Sequence, residues 1–247
     1  MIEVSNLVRR FPGMERAALD SVSFKVNKGD CLVISGANGS GKSILMSLIA
    51  GLDRPTSGSV TIGKLAGKQC RVGLVFQDAD AQILGDTPEE DAAFGPRNLG
   101  FSRKDSAELA VKVLAKTGLA GRERLPARTL SGGEKRRLAV AGVLAMDAEI
   151  IIFDEPFANL DWPGVLQVNE IIRQLKDEGK TLIILTHELE KVLALANRLL
   201  VLFRGTLVFD GTPAKALDGT VSLEDWGIRN PLQQYCSADD LVWEAAR

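Results

Sequence analysis

Histidine, cysteine and long apolar runs are all scarce in this sequence. His187 is the single histidine, and the three cysteines, Cys31, Cys70 and Cys236, stand far apart. No pair of them has the spacing of a metal site, and an odd, scattered set suits free thiols in a reducing compartment better than a disulfide framework. The longest uncharged apolar stretch runs only from Leu138 to Met146, well short of the ~20 residues that cross a bilayer as a helix. The opening Met1-Ile2-Glu3-Val4 does not have the form of a signal peptide. Direct insertion in a membrane is therefore not expected, and work at a membrane would go through a partner. A net charge of −2 offers no basic surface for nucleic acid or an anionic membrane. Internal repeats and low-complexity tracts are absent as well. What remains is an ordinary globular composition, 45% hydrophobic and 25% charged over 247 residues, enough for one large or two small domains.

The most informative stretch is Gly36-Ala37-Asn38-Gly39-Ser40-Gly41-Lys42-Ser43. It has the spacing G-x-x-x-x-G-K-[ST], a phosphate-binding P-loop. An apolar run of strand character, Cys31 to Ser35, precedes it, and Ile44 to Ala50, rich in helix formers, follows. That context separates a P-loop from a glycine-rich turn with a chance lysine. Glycines let successive backbone N–H groups turn inward to phosphate oxygens, and the helix N-terminus adds partial positive charge. Lys42 is expected to reach the β- and γ-phosphates. The Ser43 hydroxyl is expected to ligate Mg²⁺.

Residues 2–8 and 19–26 alternate apolar and polar side chains, which predicts half-buried, antiparallel strands. Short strands are expected at 59–62 and 72–76. Strand signals then vanish over 86–147, where Ala107, Ala110, Val111 and Leu114 give Arg103 to Thr117 a helical period and Ser131 to Met146 reads as a second helix. We read this region as a helical subdomain inserted into a sheet. The run Ile150-Ile151-Ile152-Phe153 has no alternation, as in a parallel strand buried on both faces. A helix from Val165 to Lys176, a strand from Thr181 to Leu185, then helix, strand and hairpin to Phe209 complete the pattern. Alternating strands and helices imply a doubly wound α/β sheet.

Four further features carry chemistry. Asp154 and Glu155 end the buried strand, so they point into the ligand crevice of an α/β sheet. Asp154 suits a Mg²⁺ site, and Glu155 is placed to orient and deprotonate an attacking water; an acid pair opening a helix at Pro156 is the alternative. Leu130-Ser131-Gly132-Gly133-Glu134-Lys135-Arg136-Arg137 offers a second anion site at a helix start, or a plain helix cap. His187 follows the strand at 181–185, where it could contact a γ-phosphate or be a structural histidine. Gln77 ends the strand at 72–76, where its amide could ligand Mg²⁺ or the attacking water, or occupy a surface turn.

Taken in order, the P-loop, Gln77, LSGGE, IIFDEP, Asn159-Leu160-Asp161 and His187 resemble the ATP-binding cassette (ABC) ATPases over about residues 2–218. The resemblance implies an α/β fold with a P-loop parallel-sheet core, an antiparallel β subdomain and a helical subdomain at about 86–147. It implies a head-to-tail dimer with a second cassette, identical or not. Each ATP would be sandwiched between one P-loop and the opposite Ser131-Gly132-Gly133-Glu134. Phe11 sits where the family has an aromatic that stacks on adenine, and Asp161 matches the loop that crosses the dimer interface. Catalysis would fall to Glu155, His187 and Gln77, and Mg²⁺ to Ser43, Gln77 and Asp154.

A narrower resemblance lies in Asp78-Ala79-Asp80-Ala81-Gln82 and in Pro88 to Gly100. Both are similar to the energising subunits of energy-coupling factor (ECF) transporters, importers of vitamins and transition-metal ions. The partners implied are a transmembrane coupling protein, which that region would face, and a substrate-binding membrane protein. The chain would sit peripherally on the cytoplasmic face of the cell membrane. Its domains would be a cassette, 1–219, and an extension, 220–247, that helps hold two cassettes together. Ile44, Glu134, Asn159 and Trp162 depart from the usual family residues. A conventional ABC transporter ATPase is the alternative. A soluble non-transport ABC protein would bring a second cassette or a long insertion, and a GTP switch an Asn-Lys-x-Asp motif; the sequence has neither.

Overall fold

The computed structural model describes residues 1–232. Tyr235, Cys236, Trp243 and the later part of the expected 220–247 extension lie outside the described residues. β1 (Ile2–Arg9) buries Ile2, Val4 and Leu7, and β2 (Leu19–Val26) buries Val22, Phe24 and Val26. They pair antiparallel with Val4 opposite Phe24 and Leu7 opposite Val22, which gathers the apolar side chains on one face. β3 (Cys31–Ser35) leads through the glycine-rich turn into α1 (Lys42–Ile49). β4 (Ser57–Ile62) returns to β1 and completes a three-stranded sheet in the order β2-β1-β4. A small hairpin, β5 (Lys64–Leu65) and β6 (Lys68–Gln69), precedes β7 (Val72–Val75).

Three helices follow without an intervening strand: α2 (Pro88–Asn98), α3 (Arg103–Lys116) and α4 (Gly132–Ala145). Each opens on a hydroxyl cap. Thr87, Ser102 and Ser131 accept bonds from the N–H groups of Glu90, Asp105 and Glu134, satisfying amides that the helix itself cannot. Ala92, Ala93, Ala110, Leu114, Leu138 and Ala141 give this subdomain its own core. β8 (Ile150–Asp154), α5 (Trp162–Asp177), β9 (Thr181–Leu185), β10 (Arg198–Phe203), β11 (Thr206–Gly211) and α6 (Pro213–Leu217) complete the chain.

The main sheet runs β11-β10-β3-β9-β8-β7. Its five strands from β10 to β7 are parallel, and β11 turns back antiparallel at the edge. Alternate residues of one strand serve two cores. Val33, Ile151, Phe153, Leu182 and Ile184 pack on one face with α5 and part of α4. Leu32, Ile34, Ile150, Ile152, Ile183 and Leu185 pack on the other with α1 and the antiparallel sheet. Burial on both faces is why these strands show no polar alternation.

Two expectations are corrected. The helix expected after His187 is instead a pair of 3₁₀ turns, Leu189–Lys191 and Leu193–Leu195. α5 starts at Trp162, three residues before Val165, because Asp161 caps it and Pro163 fits its first turn. The segment after α6 packs back on the main sheet: Leu223 and Ile228 join the main core, and the Trp226 ring lies 6.2 Å from that of Phe209.

Gly73 sets how closely α4 approaches β7. A Cβ there would lie 2.2 Å from Cγ1 of Val143 and 3.1 Å from Cβ of Ala148. Val143 is β-branched and cannot swing aside. Gly73→Ala is expected to lower stability by about 1–3 kcal/mol through overpacking, read as a fall in Tm of roughly 2–4 °C per kcal/mol. An unchanged Tm would show that α4 can lift from the sheet at no cost.

Candidate functional site

The P-loop joins β3 to α1 under tight steric limits. Gly36 has φ 156°, and a Cβ there would stand 2.3 Å from the Leu202 carbonyl oxygen. Gly41 has φ 104°, with the Ala18 carbonyl oxygen 2.7 Å from its would-be Cβ. Both positions require glycine. The Ser40 N–H donates to the Ala37 carbonyl at 3.1 Å and closes the turn. Lys42, only 7% exposed, donates its Nζ to the Gly36 carbonyl at 2.7 Å and to the Ala37 carbonyl at 3.3 Å. Burial pulls the pKa of Lys42 below its ordinary value, while the charges of Glu155 and Asp154 oppose that shift. Cys31, at the foot of the same strand, is buried, and burial raises its thiol to about 11.

Asp154 is the last residue of β8 and is buried. Burial raises its carboxyl above the usual range, the neighbouring Glu155 charge adds to the shift, and Lys42 opposes it. Glu155 has φ 44°, a left-handed conformation that costs a non-glycine residue roughly 1–3 kcal/mol. Its N–H donates to the Leu185 carbonyl at 2.8 Å, and its Oε1 lies 3.0 Å from Nδ1 of His187. Its Oε2 is buried with no hydrogen-bond partner in the protein. A carboxylate with one oxygen engaged by imidazole and one free can accept a proton from a small molecule brought to it.

These side chains share a cleft of about 290 Å³, lined by Asn38, Gly39, Ser40, Gly41, Lys42, Ser43, Ile44, Gln77, Glu155 and His187. The structure thus brings together the P-loop, Gln77, Glu155 and His187, with Asp154 close enough to act on the charge of Lys42. Gln77 lies two residues beyond the end of β7. Phe11 does not line this cleft. The Arg9 guanidinium sits 4.5 Å from the centre of its ring and also pairs with Asp53 at 2.9 Å.

Ser131, Gly132, Gly133, Glu134 and Asp161 line a separate cleft of about 530 Å³, together with Asn159 and Arg137. Ser131 and Glu134 form a reciprocal capping box: the Ser131 Oγ accepts from the Glu134 N–H at 3.3 Å, and the Glu134 carboxylate accepts from the Ser131 N–H at 2.8 Å. The Ser131 amide is the first cause of a lowered Glu134 pKa. Arg122 lies 3.4 Å from the same carboxylate. The cap reading of this segment therefore holds alongside an open, glycine-lined surface. Asp161 accepts the Gly164 N–H at 2.9 Å.

Three side chains shape the site through contacts that the sequence motifs did not specify. Gln82 accepts from the Phe76 N–H at 2.9 Å and donates to the Leu74 carbonyl at 3.0 Å, prolonging the edge of β7 toward Gln77. Lys135 pairs with Asp80. Arg136 reaches the backbone at Gln77, Glu155 and Ala158.

A P-loop beside a strand-end acid pair, with a second glycine-lined cleft at the head of an inserted helix, defines an ATPase cassette. The ABC transporter family profile matches residues 19–158, and the chain belongs to that family of ATP-binding, ATP-hydrolysing subunits. It is 37% identical over 240 residues to the energy-coupling factor transporter ATP-binding protein EcfA of Methanocaldococcus jannaschii, covering 94% of this chain and 86% of that protein. Its fold matches cbiO1 of Clostridium perfringens, part of the ABC transporter complex cbiONQ, with a TM-score of 0.78 and 28% identity over 93% of this chain and 95% of that one. A bacterial ABC transporter cassette solved as a dimer matches with a TM-score of 0.75 and 26% identity, over 86% of this chain and 99% of that one.

The position of Asp154 generates a stability prediction. Its folded pKa is raised, so its contribution to stability is full below the unfolded carboxylate pKa and is lost as pH rises through the folded value. Asp154→Asn is expected to raise the Tm of the nucleotide-free protein at pH 7, by about 2–4 °C for each kcal/mol recovered. The gain should shrink toward pH 4. A lower Tm for the variant at pH 7 would contradict the burial argument.

Proposed function

We propose that this chain energises a membrane importer of the energy-coupling factor type, for a vitamin or a transition-metal ion, as one half of an ATP-closed cassette dimer. The observation that carries the reading is 37% identity to an ECF ATP-binding protein, over an alignment that spans 94% of the chain. No helix among the described residues is long and apolar enough to cross a membrane, in keeping with a peripheral subunit on the cytoplasmic face. The 1–219 segment acts as the cassette, and 220–247 contributes to holding two cassettes together.

The two clefts support the dimer. The P-loop cleft holds hydrogen-bond donors for phosphate and the acid–imidazole pair; the Ser131–Glu134 cleft holds two glycines, Gly132 and Gly133, at a helix N-terminus. Set head to tail with a second cassette, each cleft faces the one it lacks, and Asp161 lies at the crossing. Within the P-loop cleft the backbone amides and Lys42 bind the β- and γ-phosphates, and Phe11, backed by Arg9, stacks on adenine. Glu155 takes the proton of the attacking water, His187 steadies Glu155 and the γ-phosphate, and Gln77 orients the water.

The donor set also fits Mg²⁺. Ser43, Gln77 and Asp154 offer hard oxygen ligands, and Mg²⁺ is commonly held by one or two carboxylates plus substrate phosphates. The raised pKa of Asp154 marks a buried carboxylate whose charge Lys42 compensates only in part. When bound, the ion neutralises charge on the phosphate oxygens.

A third cleft, of about 590 Å³, lies along the segment after Gln77, lined by Asp80, Ile83, Leu84, Asp86, Arg124 and Arg128 among others. It suits a transmembrane coupling protein, which would pass the movement to a substrate-binding membrane protein.

Two experiments test this reading. Glu155→Gln is expected to bind ATP normally and accumulate as a dimer on size-exclusion chromatography, with hydrolysis reduced about 10²–10⁴-fold. Near-normal turnover would remove Glu155 from its role. A gentle detergent pull-down from native membranes is expected to bring down a second cassette, a multi-helix coupling protein and a small substrate-binding membrane protein. A conventional permease in their place would overturn the ECF assignment and leave the ATPase standing.

A further inference from the structure

One buried cation takes no part in the mechanism above. Arg136, in the second turn of α4, is 5% exposed. Its guanidinium donates Nη1 to the Glu155 carbonyl at 3.0 Å, and Nη2 to the Gln77 carbonyl at 2.8 Å and the Ala158 carbonyl at 3.3 Å. Its Nε is buried with no partner. Among the described residues no carboxylate lies within ion-pair distance of Arg136; Asp78 is the acid whose charge favours it.

As a packing element this is a poor choice. A buried guanidinium held by carbonyl dipoles alone carries a desolvation cost that a hydrophobic side chain of similar volume would avoid. What it achieves is a junction. The three carbonyls belong to Gln77, to Glu155, and to the residue just before Asn159-Leu160-Asp161. All are gathered on one side chain of the helix that begins with Ser131 and Gly132. Glu155 is the residue most in need of such a hold. Its left-handed backbone persists only if its surroundings over-determine it, and it is gripped from both sides: its N–H by Leu185, its C=O by Arg136. A planar guanidinium with several fixed donors suits three divergent carbonyls, which an ammonium cannot match.

We propose that Arg136 is a positioning residue for hydrolysis, holding Glu155 and Gln77 in their working geometry and making that geometry follow the position of α4. The inference rests on the ATPase reading above. On that reading, the end of α4 touched by the opposite ATP is joined to the residues that act on this chain's own ATP. Docking at Ser131–Gly133 is thereby reported to Glu155 through one side chain.

The test uses the full chain and steady-state ATP hydrolysis. Arg136→Met, which keeps an unbranched apolar stem and lacks donors, is expected to leave nucleotide Kd within about twofold and to lower kcat roughly 10–100-fold. Arg136→Lys is expected to recover part of the loss, with KM unchanged in both. If Arg136→Met does not fold, as judged by circular dichroism and Tm, Arg136→Lys alone decides, through a severalfold fall in kcat at constant KM. The second readout is a double-mutant cycle. In a Glu155→Gln background, Arg136→Met should cost far less than in wild type, because it acts through Glu155. Wild-type kcat in both Arg136 variants, or losses that simply multiply with Glu155→Gln, would overturn the proposal and leave the cassette assignment intact. Unimpaired turnover by Glu155→Gln alone would instead strike at the mechanism beneath it.

Discussion

Three parallel strands end level, and the site depends on that alignment. Leu185, the last residue of β9, stands opposite Ile34 of β3 on one side and Asp154 of β8 on the other. The ladder continues one step past the strands: Thr186 donates to Ile34, and Glu155 donates to Leu185. The P-loop, the acid pair and His187 therefore leave the sheet side by side. Backbone hydrogen bonds set their spacing, and two cores clamp the strands from both faces. A crevice at the carboxyl ends of parallel strands is the general outcome of this architecture. Here its precision comes from strands with no solvent-facing side along which their register could slip.

Onto that rigid edge the chain places charges that the fold alone does not favour. Lys42, Asp154, Glu155 and Arg136 are all nearly buried. Lys42 is drawn away from its charged form by burial and held to it by two acids, while Asp154 is pushed toward its neutral form. In a low-dielectric setting each charge acts strongly on its neighbours. The same burial that strains the site gives it leverage over a polyphosphate. The inserted helices are tied to this edge by polar contacts, from Lys135 to Asp80 and from Arg136 to three carbonyls, as well as by packing at Gly73.

What could be read in advance follows from how local each signal is. The P-loop is contiguous, and its glycines answer to contacts within a fixed turn. Ile150–Phe153 announces double-sided burial by composition alone, and Ser131 with Glu134 spells a capping box three residues apart. Gln82 belongs to a segment that carried a family resemblance, but its structural role was not legible, because its partners, Leu74 and Phe76, are backbone groups earlier in the chain. The role of Arg136 was hidden for the same reason. Asp161 was read for its place in a loop, while its carboxylate also caps α5. Asn159 shows a signal that was there to use: it stands at φ 59°, and asparagine tolerates that conformation better than most. The 3₁₀ turns after His187 were missed because Leu189, Val192 and Leu193 supply helical spacing, yet the chain turns too tightly there to continue as an α-helix.

The burial of Cys31 has a consequence for chemistry in the cell. With its thiol raised to about 11, only roughly one molecule in ten thousand carries the thiolate at neutral pH. Oxidants and electrophiles act on the thiolate, so the start of the strand that carries the P-loop is chemically quiet. A buried sulfur at the far end of the P-loop strand is thus no handle for redox control.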